Sequence, residues 1–364
     1  MISEEGDQRK NPQGEDEETS YFFKTIFSVS HFIYVTSGLM TQKVLSYDLG
    51  GTKVAVAVVN SRGRILDEIR VPAEIPNGKA AVIRQLSDLG ATLLALHPEV
   101  QKVGIASAGP LNPATGELLD PTNFAGPKGK WGIVPLAKIL KKALKRSVYL
   151  ENDAAAAILA EHWLGAAQKY RNAMILTLGT GLGTGILCDG KLIRAGRNLH
   201  PEAGHVIIRH GDYTAPCGCG NFGCAEAYLS GANFTRRARV VLGRGKITTK
   251  EIADLARGRN RKALAAFEEY SELMAVAIHN YVRIYSPEIV IFTGSFAETS
   301  DLFLKKTEGH LKKLLARQRK GIDMLPKLVL SSLDNKAGVL GGAYVALTTS
   351  PVGQYCIAVP CDTT

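Results

Sequence analysis

Two stretches of this chain share one plan, a strand that enters a glycine turn and doubles straight back. That repetition limits the folds open to it more than any other feature. Val44-Leu45-Ser46-Tyr47-Asp48-Leu49 reads as a strand, Gly50-Gly51-Thr52 as a tight turn and Lys53 to Val59 as the antiparallel partner, with Ser61-Arg62-Gly63 turning into a third strand over Ile65 to Val71. The plan recurs in a strand at Ala173 to Leu178, a glycine turn from Gly179, a strand at Gly185 to Cys188, the turn Asp189-Gly190 and a strand at Leu192 to Ala195. The units match in pattern and not in residue identity, so two similar halves are expected.

Helices alternate with strands around these units. Val82, Leu86, Leu89, Leu93 and Leu96 keep helical spacing over 78–97, Val103 to Ser107 reads as a buried strand, and 111–132 as a long Gly/Pro-rich loop of the kind that binds something. Helices at 250–257 and 262–285, a strand at 289–293, a basic helix at 299–318, a strand at 328–331 and a last helix at 336–347 complete an α/β alternation. The expected division is a small α/β domain at 41–150, with 336–347 folding back onto it, a large α/β domain at 151–335, and an irregular tail at 348–364 whose Cys356 and Cys361 receive no role. Residues 1–40 read as a disordered or dispensable extension, acidic and aperiodic. The apolar run from Tyr21 to Met40 is broken by Lys24, His31 and serines, which makes it a poor membrane span, and its acidic flank does not suit a signal peptide.

The net charge of +10 conceals an asymmetry. Residues 1–40 hold three Lys/Arg against seven Asp/Glu, so 41–364 carry +14. Such a balance favours anionic small molecules, nucleotides among them. The runs Lys138-Lys141-Lys142-Lys145-Arg146 and Lys312-Lys313-Arg317-Arg319-Lys320 fall in helical spacing and read first as solvated helix faces; holding a long polyphosphate is the rival reading. Six cysteines, three of them within 217–224, are too clustered for a disulfide framework, which points to a reducing, cytoplasmic setting.

Three groups of residues carry chemistry. In the first turn Asp48 stands at a strand end beside Gly50 and Gly51, where backbone can approach a phosphate, with the Thr52 hydroxyl and the Lys53 charge adjacent; a plain tight hairpin is the alternative. The second turn, Gly179-Thr180-Gly181-Leu182-Gly183-Thr184-Gly185, departs from the dinucleotide-binding spacing and leads into a strand where that motif needs a helix, so two opposed hairpins gripping one polyphosphate is the economical reading. In the second group, Glu151-Asn152-Asp153 lies where a strand enters an alanine-rich helix. Asn152 or Asp153 suits a helix N-cap, and Asp153 equally suits a general base that takes the proton of an attacking alcohol. In the third, His205, Cys217, Cys219 and Cys224 offer a nitrogen and three sulfurs in a glycine-rich loop, a donor set that suits a closed, structural zinc; a disulfide and free thiols are the rival readings. Such a loop would fix Glu202 and Glu226, carboxylates suited to polyhydroxyl recognition.

With these motifs together, residues 43–347 resemble the ROK family of repressors and sugar kinases, which has the two-domain actin-like ATPase and hexokinase fold, ribonuclease H-like, with an interdomain cleft. The resemblance implies that Asp153 is the catalytic base, that Asn123, Asn152, Glu202, His205 and Glu226 join Asp153 in contacting sugar, and that His205 also ligates zinc. It implies that Gly50 to Lys53 and Gly179, Thr180, Gly181 and Gly183 serve ATP, and that Gly294-Ser295 and Gly338 to Gly342 approach the nucleoside. Asp48 is expected to orient magnesium. One departure is that Asn123 and Trp131 are farther apart than in family glucokinases, which leaves an N-acetylhexosamine or fructose open beside glucose. The family's repressors carry a helix-turn-helix before the first strand; the acidic residues before Val44 show no such pattern, so no nucleic-acid partner is expected. A homodimer using ATP, magnesium and structural zinc is the expected form.

Overall fold

The computed structural model of the protein describes residues 41–121, 124, 129–316 and 323–349. Gln42 opens a compact unit distinct from Met1–Thr41. The expectations for 1–40, for Asn123, for Arg317, Arg319 and Lys320, and for Cys356 and Cys361 lie outside the described residues.

Within the unit the repeated plan becomes two sheets of identical order. The first holds β1 (Lys43–Leu49), β2 (Lys53–Asn60), β3 (Ile65–Pro72), β4 (Lys102–Ser107) and β8 (Ser147–Asn152), in the order β3-β2-β1-β4-β8. The second, β11-β10-β9-β12-β13, holds β9 (Ala173–Leu178), β10 (Leu182–Cys188), β11 (Lys191–Leu192), β12 (Ile289–Thr293) and β13 (Lys327–Leu330). In each, the glycine-turn hairpin and the third strand are antiparallel, and the two later strands join the first in parallel. The inner parallel strands β4 and β12 are almost wholly buried, as parallel strands covered on both faces are.

Among the described helices, α1 (Lys79–Leu96) buries Val82, Leu86 and Leu93 on the first sheet's core, and α2 (Leu136–Leu144) buries Leu136, Leu140 and Leu144 while Lys138, Lys141 and Lys142 face water. Those three lysines form the solvated face of an amphipathic helix, whereas Arg146, beyond its end, donates to the carbonyls of Pro98 and Val100. The short α4 (Glu226–Leu229), α5 (Gly231–Leu242), α6 (Thr249–Arg257), α7 (Arg261–Tyr285) and α8 (Ser300–Leu315) build the other core, where Phe234, Phe267, Tyr270, Phe296 and Phe303 meet edge-on, tilted or stacked.

Two helices tie the sheets together. α3 (Asp153–Leu164) leaves β8 and packs on β9 and β10, and α9 (Ala337–Thr348) lies on α3, β1 and β4. Both are apolar on nearly every side because both are covered on nearly every side. Their approach is so close that side chains are excluded: a Cβ on Gly341 would stand 2.2 Å from the Ala156 carbonyl oxygen, and one on Gly104 of β4 1.8 Å from that of Gly342. Gly341 and Gly342 therefore serve close packing, while Gly338 faces the Asp48 carboxylate.

Other differences have local causes. The expected loop at 111–132 contains two strands of a small sheet, β5 (Leu111–Asn112) and β6 (Glu117–Leu119), completed just beyond it by β7 (Ile133–Val134) and held to the core by Leu111, Leu118, Phe124, Trp131 and Val134. Its strands are too short to show alternation. α5 went unpredicted because the side chains it buries, among them Phe234 and Ala238, are few, and Val240 and Val241 face outward. β10 starts at Leu182, earlier than expected, and β11 stops at Leu192. No described helix is long and apolar enough to cross a membrane.

Candidate functional site

Register brings the first group together. Asp48 pairs with Ala106 and Ala106 with Glu151, so the next row is Leu49, Ser107 and Asn152, at the carboxyl ends of three neighbouring parallel strands. Asp153 follows as the first residue of α3. Ligands of open α/β sheets bind off these strand ends.

The cap question is resolved by Asn152. Its Oδ1 accepts from the amides of Ala154 and Ala155 at 3.0 and 3.1 Å, which leaves its Nδ2 as the polar group for other partners. Asp153 accepts from the Ala154 amide at 2.8 Å. Burial pushes the Asp153 carboxyl above its ordinary range, the Ala154 amide and the charge of His200 oppose that rise, and Glu202 adds to it. Asp48 is pushed up to about 6, first by burial and then by the charge of Asp153, with Arg70 opposing. The charge of Asp153 thus disfavours the ionisation of Asp48 beyond what burial does. Gly338 permits this arrangement, since a Cβ there would stand 2.4 Å from the Asp48 carboxylate. Glu151, fully buried, forms a two-pronged ion pair with Arg194 that pins the end of β8 to the chain beyond β11.

The two turns differ. Gly50 donates to the Lys53 carbonyl at 3.0 Å and closes the first hairpin, with Gly51, Thr52 and Lys53 exposed. In the second, the amides of Leu182 and Gly183 are already engaged, by Glu226 Oε2 at 2.9 Å and Thr177 Oγ1 at 3.1 Å. Gly183 is a strand residue over which α3 crosses, and a Cβ there would stand 2.4 Å from Thr177 Oγ1. Gly179, Thr180 and Gly181 form the turn itself, with Thr180 exposed. Gly294 follows β12 at a φ of 93°, and a Cβ there would meet the Leu178 carbonyl at 2.5 Å, so a backbone without a side chain is required beside this turn.

The third group is a cluster. The donor atoms of His205, Cys217, Cys219 and Cys224 all lie within 4.8 Å of one another, with Cys217 Sγ 3.3 Å from His205 Nδ1 and Cys219 Sγ 3.7 Å from Cys224 Sγ. The cysteines of this cluster are free. Two sulfurs at zinc-bond length on a tetrahedron stand roughly 3.8 Å apart, so the donor set and spacing fit a tetrahedral ion. His205 turns Nδ1 toward the sulfurs, while its Nε2 lies 3.8 Å from Glu202. Glu226 reaches Cys217 Sγ at 3.5 Å with the oxygen that Leu182 does not use.

His200 escaped the sequence reading. It is 8% exposed, its Nε2 sits 3.1 Å from Glu202 Oε1, and its charge acts on Asp153. A histidine before a proline in an irregular stretch has no periodicity to mark it; the fold alone brings it to the site.

The chain matches the family model described as "ROK family" over residues 44–349. It is 31% identical over 319 residues to a glucokinase of Thermotoga maritima, covering 83% of this chain and 96% of that one. It is also 30% identical over 312 residues to a xylose repressor of Caldicellulosiruptor bescii, covering 82% of this chain and 76% of that one. Among solved structures, a ROK family glucokinase from Streptomyces griseus in complex with glucose and AMPPNP superposes with a TM-score of 0.68 at 27% identity, covering 84% and 99% of the two chains. Two sheets of one order, bridged by paired helices, are the actin-like ATPase fold of these hexokinases, and the chain belongs to the ROK family of that fold.

Proposed function

We propose that the chain is an ATP-dependent sugar kinase that transfers the γ-phosphoryl group to the 6-hydroxyl of a hexose, glucose first. The observation that carries this is Asp153: a half-buried carboxylate of raised proton affinity at the start of α3, within the field of Asp48, His200 and Glu202. Raised proton affinity suits a general base, since a carboxylate at its ordinary value is a weak acceptor for an alcohol proton. The glucokinases among its relatives support the same reading.

In this reading the cleft lies between 41–150 and 151–335. Asp153 accepts the 6-hydroxyl proton as that oxygen attacks the γ-phosphorus, and ADP departs with the electron pair of the broken P–O bond. Asn152 offers Nδ2–H to the sugar, because its oxygen is committed to the helix cap. Glu202, His205 Nε2 and Glu226 complete the sugar side, and the family's Asn123 contact is assigned with them. The exposed Gly51-Thr52-Lys53 turn and the Gly179-Thr180-Gly181 turn hold the triphosphate, while Gly183 and Gly294 shape the second turn from behind. Asp48 would orient the magnesium that accompanies ATP, and the ion would neutralise charge on the phosphates. His205, Cys217, Cys219 and Cys224 would hold a zinc, and four protein donors would give it a structural part.

The test is ADP release over glucose, mannose, fructose, N-acetylglucosamine and N-acetylmannosamine. Glucose is expected to give the highest kcat/KM. Release no faster with any sugar than without one overturns the reading and favours a sensor without catalysis, whose sugar binding calorimetry would then show.

A further inference from the structure

His200 has a feature that packing alone would not retain. The ring is nearly enclosed, and its Nδ1 is buried with no hydrogen-bond partner among the described residues. An unmet buried nitrogen is unfavourable, and an apolar side chain of similar size would avoid that loss. The ring's position is nevertheless closely set. Pro201 restricts His200 to extended backbone, and the Pro201 carbonyl is held by Thr184 Oγ1 of β10 at 3.2 Å. Across the site, Cε1 of the ring would stand 3.2 Å from a Cβ on Gly109, and Asn152 Nδ2 3.5 Å from the same point. A side chain at 109 would press on the ring and make it give by a few tenths of an ångström. What the arrangement achieves is the contact from Nε2 to Glu202 Oε1 at 3.1 Å, made to a carboxylate that is otherwise 52% exposed and flexible at three torsions.

We propose that His200 is a positioning residue for sugar recognition: donating Nε2–H to Glu202, it fixes one carboxylate oxygen so that the other presents a single orientation to a hexose hydroxyl. This rests on the sugar-kinase reading and adds a residue to it. The ring spans from the end of β4 to the segment before the cysteine cluster, so Glu202 is held from a side that the cluster does not reach. The opposing influence of the His200 charge on the proton affinity of Asp153 accords with the same placement.

The test compares three variants by initial rates. His200→Gln sets its amide nitrogen near the place of Nε2, His200→Asn near that of Nδ1, and His200→Ala removes both. Loss of a hydrogen bond to a charged group predicts a hexose KM raised about ten-fold or more in His200→Ala and His200→Asn, with His200→Gln within about three-fold of wild type and the ATP KM within about two-fold throughout. A hexose KM in His200→Ala within about two-fold of wild type, or equal defects in the Gln and Asn variants, overturns the proposal. If the wild-type protein phosphorylates no sugar, the kinase reading fails separately, and ligand-free crystal structures decide this one. A Glu202 carboxylate that keeps its place in wild type and His200→Gln but turns away in His200→Ala supports it, and an unmoved Glu202 in His200→Ala refutes it.

Discussion

The carboxylate of Glu226 accepts the backbone amide of Leu182 at 2.9 Å through one oxygen and meets Cys217 Sγ at 3.5 Å through the other. One side chain therefore joins the cysteine cluster to the second glycine turn. Disturbing the cluster should be felt by both substrates. Chelation, or Cys219→Ser, is expected to lower metal content from one zinc per chain, to raise the hexose KM about ten-fold or more, and to raise the ATP KM several-fold through the loosened turn. Elemental analysis and initial rates check this. An unchanged ATP KM beside a raised hexose KM would show that Glu226 does not transmit the disturbance.

Asp153→Asn keeps size and shape but removes the proton acceptor. Turnover at saturating hexose should fall by about two to four decades while hexose binding, measured by calorimetry, changes little. Turnover above about a tenth of wild type would return Asp153 to a purely structural place at the start of α3.

The Asp48 carboxyl binds its proton more tightly in the folded chain, with a pKa of about 6 against 3.8 when unperturbed. Below the lower value both states are protonated and no penalty exists; as pH rises through the higher value the folded state carries the full penalty of the buried charge. Removing that charge in Asp48→Asn should therefore make little difference to stability near pH 4 and stabilise the protein by on the order of 3 kcal/mol at pH 8 without magnesium. Denaturant titrations at the two pH values test this. A gain that is equal at both would assign the effect to packing.

Glycines in this chain should divide sharply. A Cβ at Gly104 falls on the backbone of α9, so Gly104→Ala should destabilise by about 3 kcal/mol or more or prevent folding. Gly309 is exposed within α8 with nothing near the place of its Cβ, so Gly309→Ala should stabilise by about 0.5–1 kcal/mol. Thermal melts of both variants check the contrast.

What could be read from sequence follows the range of the interactions concerned. The hairpins around Gly50 and Gly179 and the cluster from Cys217 to Cys224 are local, written within a few residues, and the structure has them where the spacing puts them. The N-cap at Asn152 was visible as one of two neighbours, and only the direction of Oδ1 chose between them. Contacts made across the chain left no local trace: His200 beside Gly109 and Asn152, Arg194 on Glu151, and Gly342 against Gly104. A glycine-rich segment such as that of α9 signals close approach without saying to what: Gly341 and Gly342 meet a helix and a strand, and Gly338 meets the Asp48 carboxylate.

Ser46 of β1 hydrogen-bonds to the carbonyl of Val339 in α9, 293 residues later. On a ribosome that emits this chain from its amino end, the first sheet waits through nearly the whole of synthesis for the helix that covers β1 and β4. Its apolar face stays open to chaperones and to misassembly in the meantime, and native protein should appear only after α9 has cleared the exit tunnel.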